Sequence, residues 1–157
     1  MQVTVRTASA VDAAALAGLR LRSRYESGVA DEDDADGFAD ALSSWMDAHV
    51  STHRPFVAEV DGRVAGMAWL VVLDRVPSLE RRHRRSGDVQ SVYVLPELRG
   101  RGVGAALLDA VLADARTLGL EHVTVHSSDR AVSLYRRAGF RAADTWLGRI
   151  GDGARTG

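Results

Sequence analysis

Apolar and polar residues alternate with different periods along the first half of the chain. Residues 3–8 (VTVRTA) alternate as a half-buried strand does. Apolar residues recur three and four apart in residues 9–25 and again from Phe38 to His49, which predicts two amphipathic helices. The apolar segments FVAEV and VAGMAWLVVL then flank Asp61-Gly62, a pair suited to the positive backbone angles of a tight turn. These segments predict an antiparallel hairpin.

The second half predicts a loop followed by alternating strands and helices. Residues 75–87 (RVPSLERRHRRSG) show neither period and contain Pro77 and Gly87, which favours a long loop. After it come the strand DVQSVYVL, the helix GVGAALLDAVLADARTL, the strand EHVTVHS, the short helix DRAVSLYRRAG and a last strand, FRAADTWLGRI. The predicted order is β-α-α-β-β-β-α-β-α-β, a mixed α/β (α+β) fold. We expect one domain over residues 1–150 and a disordered tail over 151–157.

Composition limits the class of protein. At 157 residues and 46% hydrophobic, the chain is long enough to bury a core without metals or disulfides. It contains no cysteine, which excludes a disulfide framework, a thiol nucleophile and thiolate metal sites, and fits a reducing compartment. The amino-terminal residues lack the apolar segment of a secretory signal, and no run of about eighteen apolar residues occurs. We therefore expect a cytoplasmic protein that does not contact a membrane.

The charges nearly cancel overall but are concentrated in two segments. A formal net charge of -1 argues against a general nucleic-acid binder, which carries a positive excess. Residues 31–36 (DEDDAD) have two interpretations, attraction of a cationic amine or a solvated loop. Residues 81–85 (RRHRR) have three: a cover for a cofactor, a contact for an acidic substrate, or a solvated surface. His126 has no carboxylate or second histidine at ligand spacing, so no metal site is predicted.

Three glycines stand at alternate positions between a predicted strand and a predicted helix. In VYVLPELRGRGVG, Gly100, Gly102 and Gly104 surround the helix N-terminus, where unpaired amides and the helix dipole favour an anion. Arg99 and Arg101 add charge-assisted donors. The segment predicts a phosphate or pyrophosphate site, with an ordinary glycine-rich turn as the alternative. A dinucleotide-binding G-x-G-x-x-A fingerprint fits poorly, because LPELR separates the strand from the first glycine.

Two motifs in this half resemble those of the GNAT N-acetyltransferase family. The first is the acetyl-CoA motif R/Q-x-x-G-x-G/A, which Arg99, Gly102 and Gly104 match after a strand and a proline. The second is A-x-x-L-Y-x-x-x-G-F, which residues 131–140 (AVSLYRRAGF) match. The resemblance implies the GNAT fold, with a central, mostly antiparallel sheet flanked by helices, and acetyl-CoA as the cofactor.

The resemblance assigns the acetyl-CoA site to the strand and loop around these glycines. The strand backbone would pair with the pantetheine arm, and the loop amides would hold the pyrophosphate. The cofactor-binding residues implied in this way are Val92, Tyr93, Val94, Arg99, Gly100, Arg101, Gly102, Val103 and Gly104. Ser128 stands where many family members have asparagine; serine preserves helix capping in principle, and a direct cofactor contact stays open.

The resemblance also implies two catalytic residues. Tyr135 occupies the position of a tyrosine that protonates the leaving thiolate, and a phenol with a pKa of about 10 carries that proton at neutral pH. Its alternative role is aromatic packing of the short helix. Asp88 stands where some members have the general base for the amine, although it is equally suited to capping the strand after Gly87. Glu59 and an ordered water chain are the other candidate bases.

The function implied by the resemblance is transfer of an acetyl group from acetyl-CoA to the primary amine of a small molecule. In the family the first two helices and nearby loops wall the acceptor site, which here means the region around Tyr25, the acidic run 31–36 and the helix that bears Trp45. Acetylation of a protein amine, on lysine or an N-terminus, is the runner-up. Two alternatives from other classes are a non-catalytic acyl-CoA-binding module and an anion- or nucleic-acid-binding domain that uses Arg81–Arg85. Homodimers are frequent in the family, and the sequence identifies no interface.

Overall fold

The fold is built on one five-stranded sheet with the strand order β1-β2-β3-β4-β5. The computed structural model describes residues 1–29 and 37–151, so the acidic run 31–36 and residues 152–157 of the expected tail lie outside the described residues. The elements are β1 (Val3–Thr7), α1 (Ala13–Glu26), α2 (Phe38–Ala48), β2 (His53–Val60), β3 (Arg63–Arg75), β4 (Arg84–Val94), α3 (Val103–Thr117), β5 (Val123–Val125) and α4 (Val132–Arg137). Strands β1 to β4 pair antiparallel, and β5 pairs parallel with β4. The predicted class, a mostly antiparallel sheet flanked by helices, is confirmed.

Helices cover both faces of the sheet and create two cores. On one face α3 buries Leu107, Leu108 and Val111 completely, and α4 adds Tyr135 to the same cluster. On the other face α1 and α2 pack against the sheet through a second cluster that includes Leu16. Because side chains on both faces of the sheet are covered, β3 is buried continuously from residue 65 to 72. Its sequence is therefore an unbroken apolar run and does not alternate between apolar and polar residues. None of the helices in the described ranges has the length and apolar character needed to cross a membrane.

The predicted hairpin between β2 and β3 is confirmed. Asp61 and Gly62 have φ angles of 49° and 79°, the positive values that a tight two-residue turn requires. Asp61 also accepts a hydrogen bond at Oδ1 from the amide of Gln2, at 2.9 Å. The turn therefore fixes the register of the central strands and ties the amino terminus to them.

A β-bulge interrupts β4 close to its carboxyl end. Met67 pairs with Tyr93 and Trp69 pairs with Gln90, so Ser91 and Val92 together lie opposite Ala68. Ser91 has a φ of 52°, which a residue with a Cβ rarely adopts and which costs on the order of 1–3 kcal/mol. Such strain is typical of positions where the backbone geometry serves a binding or catalytic role.

The long loop predicted over residues 75–87 is shorter than expected. β3 continues to Arg75 and β4 begins at Arg84, which pair with each other across the ladder. The arginines are accommodated because Glu121 accepts hydrogen bonds from Arg75 and Arg84, both at 2.8 Å, and this pairing lowers the pKa of its carboxyl. Tertiary ion pairs thus override the low strand propensity of the basic segment.

The last strand predicted over residues 140–150 is wrong: the described residues after α4 form no strand. Leu147 and Ile150 are three residues apart, so they cannot share one face of a strand, and both side chains are exposed. Trp146 instead contacts His122 edge-on, with 4.8 Å between ring centroids. Within the described residues, β5 consequently pairs only with β4.

Candidate active site

A cleft opens where β4 and β5 separate. The two strands pair only from Gly87 with Val123 to Val89 with Val125, and β4 then continues to Val94 while β5 ends. The space between them is a cavity of about 410 Å³ whose lining includes Ser91, Val92, Tyr93, Val125, Ser128 and Tyr135. The splayed strands therefore expose part of the β4 backbone edge to the cleft.

The glycine loop leads from β4 to the start of α3 and leaves open space at its backbone. Gly100 and Gly102 have φ angles of 72° and 85°, and a Cβ built on either would meet no heavy atom within 4 Å. Gly102 is the N-cap of α3. The first hydrogen bond of the helix runs from the amide of Ala106 to the carbonyl oxygen of Gly102, at 2.9 Å. The earlier amides of the helix are consequently available to an anion.

Two other residues of this motif have structural contacts. The space beside Gly104 faces α4, where a Cβ would lie 3.3 Å from Leu134 Cδ2, so this glycine lets α3 and α4 approach each other. Val103 is buried in the core, 1% exposed. Gly104 and Val103 are therefore packed against the protein, and only their backbone amides are left to contact a ligand.

Arg99 is held by protein groups at one end of the cleft. Its Nε donates to the carbonyl of Val94 at 2.9 Å, and its Nη2 donates to Glu26 Oε2 on α1 at 2.7 Å. Tyr93 donates its hydroxyl to the same carboxylate at 3.0 Å. The Arg99 hydrogen bond lowers the pKa of Glu26, while burial and Glu26 raise the pKa of Tyr93. Arg101, in contrast, is exposed.

Tyr135 presents a protonated phenol to the cleft. The residue is 6% exposed and packs edge-on against Phe140, with ring centroids 5.5 Å apart. Burial raises the pKa of its phenol, so the proton stays on the oxygen at neutral pH. No protein partner for the hydroxyl occurs in residues 1–29 or 37–151, although the ring does pack as the alternative interpretation expected. The two predicted roles of Tyr135 are thus compatible.

Asp88 lies inside β4, not at its start. Its carboxylate accepts hydrogen bonds from Thr124 Oγ1 at 2.6 Å and from Gln90 Nε2 at 2.9 Å. Glu59, another of the candidate bases, pairs with Arg6 at 2.9 Å. It lies near the far end of β2, six residues and about 20 Å along the extended strand from His53. Ser128 takes the N-cap position of the short turn before α4, as predicted, but makes no side-chain capping bond.

A second cavity, also of about 410 Å³, lies between α1, α2 and the sheet. Three aromatic residues line it: Phe38 and Trp45 from α2, and Trp69 from β3. Arg20, His53 and Gln90 also line it, and Ser91 lines both this cavity and the cleft. We call this cavity the aromatic pocket. The two cavities therefore meet at the β4 bulge.

The polar groups of the aromatic pocket have few partners. Arg20 Nη1 donates to Ser91 Oγ at 2.6 Å, and Trp69 Nε1 is buried with no hydrogen-bond partner in the described part of the chain. His53 stands edge-on to Trp45, with centroids 4.7 Å apart, and contacts Thr52 Oγ1 through Nδ1 at 2.9 Å. Burial and the neighbouring His49 lower the pKa of His53, which favours its neutral form.

Comparison with known families identifies the fold's relatives. The model of the acetyltransferase (GNAT) family matches residues 17–140. The chain belongs to the GNAT family. The match includes the β4 bulge, the glycine loop and Tyr135, so all features of the cleft described above lie inside the GNAT domain.

Individual relatives are enzymes that act on different small molecules, according to their names. Mycothiol acetyltransferase of Propionibacterium freudenreichii subsp. shermanii is 36% identical over 90 residues, which cover 55% of this chain and 27% of that protein. Glucosamine 6-phosphate N-acetyltransferase of Trypanosoma brucei brucei is 33% identical over 89 residues, 57% of this chain and 58% of that protein. The matches thus span about a quarter and somewhat over half of these two relatives.

Solved structures agree with the GNAT fold over nearly the whole chain. A predicted acetyltransferase of Clostridium acetobutylicum, solved with acetyl-CoA, superposes with a TM-score of 0.76 at 20% identity, covering 95% of this chain and 96% of that one. Glucosamine-6-phosphate N-acetyltransferase of Arabidopsis thaliana gives 0.74 at 15% identity, covering 97% and 100%.

The resemblance placed the acceptor at the first two helices of this GNAT domain, including the helix that bears Trp45, but sequence reasoning missed Trp69, Arg20 and Ser91. The bulge shows only in the structure: Val89 and Val94 are five positions apart and pack on the same core, whereas a regular strand would place them on opposite faces. The convergence of Arg20, Trp45 and Trp69 from three elements far apart in the sequence likewise appears only in the structure.

Proposed function

We propose that this protein is an N-acetyltransferase that transfers an acetyl group from acetyl-CoA to the primary amine of a small molecule. The observation that carries the proposal is the shared wall at Ser91, where the cleft and the aromatic pocket meet. A thioester in the cleft and an amine in the pocket would be adjacent at this residue, as direct transfer requires. The names of both curated relatives, which contain mycothiol and glucosamine 6-phosphate, support a small-molecule acceptor.

The cleft and loop fit acetyl-CoA. Gly100 and Gly102 leave open space beside the α3 amides, where a pyrophosphate would sit, and the exposed Arg101 would add charge. The backbone of Val92 to Val94 would pair with the pantetheine arm, although the Val94 carbonyl already accepts from Arg99. We therefore assign Arg99 to ordering the loop. The proposed cofactor-binding residues remain Val92, Tyr93, Val94, Arg99, Gly100, Arg101, Gly102, Val103, Gly104 and Ser128.

Acetyl-CoA would supply an activated acyl group. The amine nitrogen would form a bond to the carbonyl carbon of that group as the carbon–sulfur bond breaks. Tyr135 would donate its phenolic proton to the departing sulfur and regain one from water. The bulge disrupts the ladder between β4 and β3, and an amide that it frees at Ser91 or Val92 would stabilise the carbonyl oxygen as it gains negative charge.

The acceptor enters as an ammonium ion and must lose a proton before it attacks. We propose Asp88 as the base, acting through water beside Gln90, because Gln90 links its carboxylate to the aromatic pocket. His53 is a second candidate. It lines the pocket itself, and its lowered pKa keeps the imidazole neutral and able to accept a proton.

Calorimetric titration with acetyl-CoA tests this function. Gly102 and Gly119 stand at opposite ends of α3, both with positive φ and open space, so Asp at either adds the same side chain to a similarly strained backbone. We expect micromolar binding to the wild type, its loss in Gly102→Asp through steric and charge repulsion, and its retention in Gly119→Asp. Thermal unfolding of both variants verifies their folding. Absence of binding to the wild type, or equal binding by Gly102→Asp, contradicts the proposed cofactor site.

A further inference from the structure

The side chains that line the aromatic pocket indicate which chemical groups the acceptor contains. Three aromatic side chains wall it, and Trp45 and Trp69 meet edge-on with centroids 6.0 Å apart. Such walls favour an apolar or aromatic group, because burying that group releases water from both surfaces. Polar partners are few, so a ligand covered with hydroxyl groups would leave several of them without hydrogen bonds.

Arg20 differs from the neighbouring arginines in its partners. Arg99 is paired with Glu26 at 2.7 Å, and Arg22 lies 3.8 Å from Glu97. Arg20, in contrast, contacts the neutral hydroxyl of Ser91, and no carboxylate among residues 1–29 and 37–151 lies within ion-pair distance of it. Burial and the nearby Arg24 lower its pKa, yet a guanidinium remains charged at neutral pH. A partly buried cation that has no carboxylate partner among residues 1–29 and 37–151 favours binding of an anion.

Trp69, which lines the same pocket, has a side-chain donor without a partner in the described residues. Its indole Nε1 is buried without a partner in the described residues, a state that costs on the order of 1–3 kcal/mol. Because Trp69 and Arg20 line one cavity, a ligand in that cavity would lie beside both side chains. Gln90 donates its Nε2 to Asp88, which leaves its carbonyl oxygen as an acceptor for an amine N–H.

We propose that the acceptor is an amine that carries a carboxylate and an apolar or aromatic group, as an apolar amino acid does. The carboxylate binds Arg20 and the Trp69 indole, the apolar group lies among Phe38, Trp45 and Trp69, and the amine reaches the cleft at Ser91. The proposal rests on the proposed function for the transfer step. Arg20 and Trp69 then determine the preference of the enzyme for acceptors that carry a carboxylate.

Kinetics with paired substrates tests this assignment. Phenylalanine and leucine are each compared with the amine that lacks only the carboxylate, and glucosamine 6-phosphate is included as a phosphate-bearing amine. For the wild type we expect kcat/KM for the amino acids to exceed that for their decarboxylated counterparts by about 10- to 100-fold, the value of a charge-assisted hydrogen bond. Arg20→Gln should remove this preference by lowering kcat/KM for the amino acids alone. Arg22→Gln, the same change on the exposed side of α1, should retain it.

Trp69→Phe separates recognition from structure. Phenylalanine keeps an aromatic wall and removes the unpaired donor, so folding stability should stay constant or rise while amino-acid binding weakens about five- to tenfold. A purely structural role would instead lower stability and leave the preference for carboxylates intact. Equilibrium binding of the amino acids is followed by the fluorescence of Trp45, which remains in the pocket of the variant.

The outcomes distinguish this inference from the proposed function. If acetyl-CoA binds and the decarboxylated amines or glucosamine 6-phosphate are preferred, the carboxylate inference is overturned while the acetyltransferase function stands. An equal loss for amino acids and amines in Arg20→Gln, or no binding of either amino acid to the wild type, also overturns it. If acetyl-CoA itself does not bind, the proposed function fails and the inference fails with it.

Discussion

The cleft between β4 and β5 and the aromatic pocket share Ser91 but are built in different ways. The cleft depends on the backbone: the splay of β4 from β5, the bulge, and two glycines with positive φ angles. The aromatic pocket depends on side chains that α1, α2, β2 and β3 bring together. A cleft made from backbone can keep its shape when side chains change, whereas a pocket made from side chains can change its ligand by substitution.

This difference predicts that variants of the two regions will separate kinetically. Substitutions in the cleft should change acetyl-CoA binding or the rate of the chemical step. Substitutions in the aromatic pocket should change the KM for the acceptor while the acetyl-CoA Kd stays constant. Variants that change both parameters would show that the two regions are one site.

The largest effect is expected for Tyr135→Phe. Removing the hydroxyl removes the proposed proton donor, and kcat should fall about 100-fold or more while the acetyl-CoA Kd changes little. Because burial raises the pKa of Tyr135, the protonated form persists at low and neutral pH and is lost only as pH rises through that pKa. Wild-type kcat should therefore show no alkaline decline from this group below about pH 10. An unchanged kcat in the variant would show that Tyr135 is not the proton donor and that its role is aromatic packing.

Gly66→Ala should have the next largest effect, on stability and the cleft together. A Cβ at residue 66 would lie 2.9 Å from the carbonyl oxygen of Tyr93, so β4 must shift, at a cost of about 1–3 kcal/mol. Acetyl-CoA binding should weaken with it, and urea unfolding measures the stability loss. Gly18→Ala is the control: it lies in α1 with no atom within 4 Å, and should stabilise the chain by about 0.5–1 kcal/mol. Equal stability of Gly66→Ala and wild type would contradict the close approach of β3 and β4.

Trp45→Ala should affect only the acceptor. Loss of an aromatic wall should raise the acceptor KM roughly tenfold and leave the acetyl-CoA Kd unchanged. Trp146→Ala is the matched control, since Trp146 is 53% exposed and contacts His122 beside β5, at a distance from the pocket. Weaker acetyl-CoA binding in Trp45→Ala would show that the two cavities are not independent.

The smallest effect is expected for Glu26→Gln. Removing a negative charge beside Arg99 should tighten acetyl-CoA binding about two- to fivefold, since exposed charge pairs are worth little. Arg99 lowers the pKa of Glu26, so the carboxylate's contribution to stability is present above its ordinary pKa and is lost as pH falls through the lowered value. The difference in melting temperature between wild type and variant should vanish at acidic pH. Weaker cofactor binding would mean that the Glu26 charge is needed to order the loop.

The sequence predicted those parts of the site that depend on local backbone geometry. The glycine spacing located the loop before α3, and the Asp61-Gly62 pair located the hairpin, because positive φ angles restrict residue choice at single positions. The start of β4 was missed because Glu121, remote in sequence, pairs with Arg84 at its first position and with Arg75 at the end of β3. The last predicted strand failed because no neighbouring surface buries Leu147 or Ile150.

The aromatic pocket was predictable only in part, for a different reason. The family resemblance pointed to the helix that bears Trp45 as a wall of the acceptor site, but Trp69 fits the apolar pattern of its own strand and did not stand out. The convergence of Arg20, Trp45 and Trp69 exists only once the sheet and helices are assembled. Side-chain pockets between elements therefore need the three-dimensional structure, whereas backbone loops are often readable from the sequence.

A crystal structure of the protein with acetyl-CoA would test the central claim most directly. The account predicts the pyrophosphate on the amides of residues 100–104, the sulfur beside the Tyr135 hydroxyl, and the thioester carbonyl carbon within about 4 Å of Ser91, close to the reach of an attacking amine. The acetyl group would then face the aromatic pocket. A cofactor bound outside the β4–β5 cleft, or an acetyl group separated from the pocket by protein, would contradict the account.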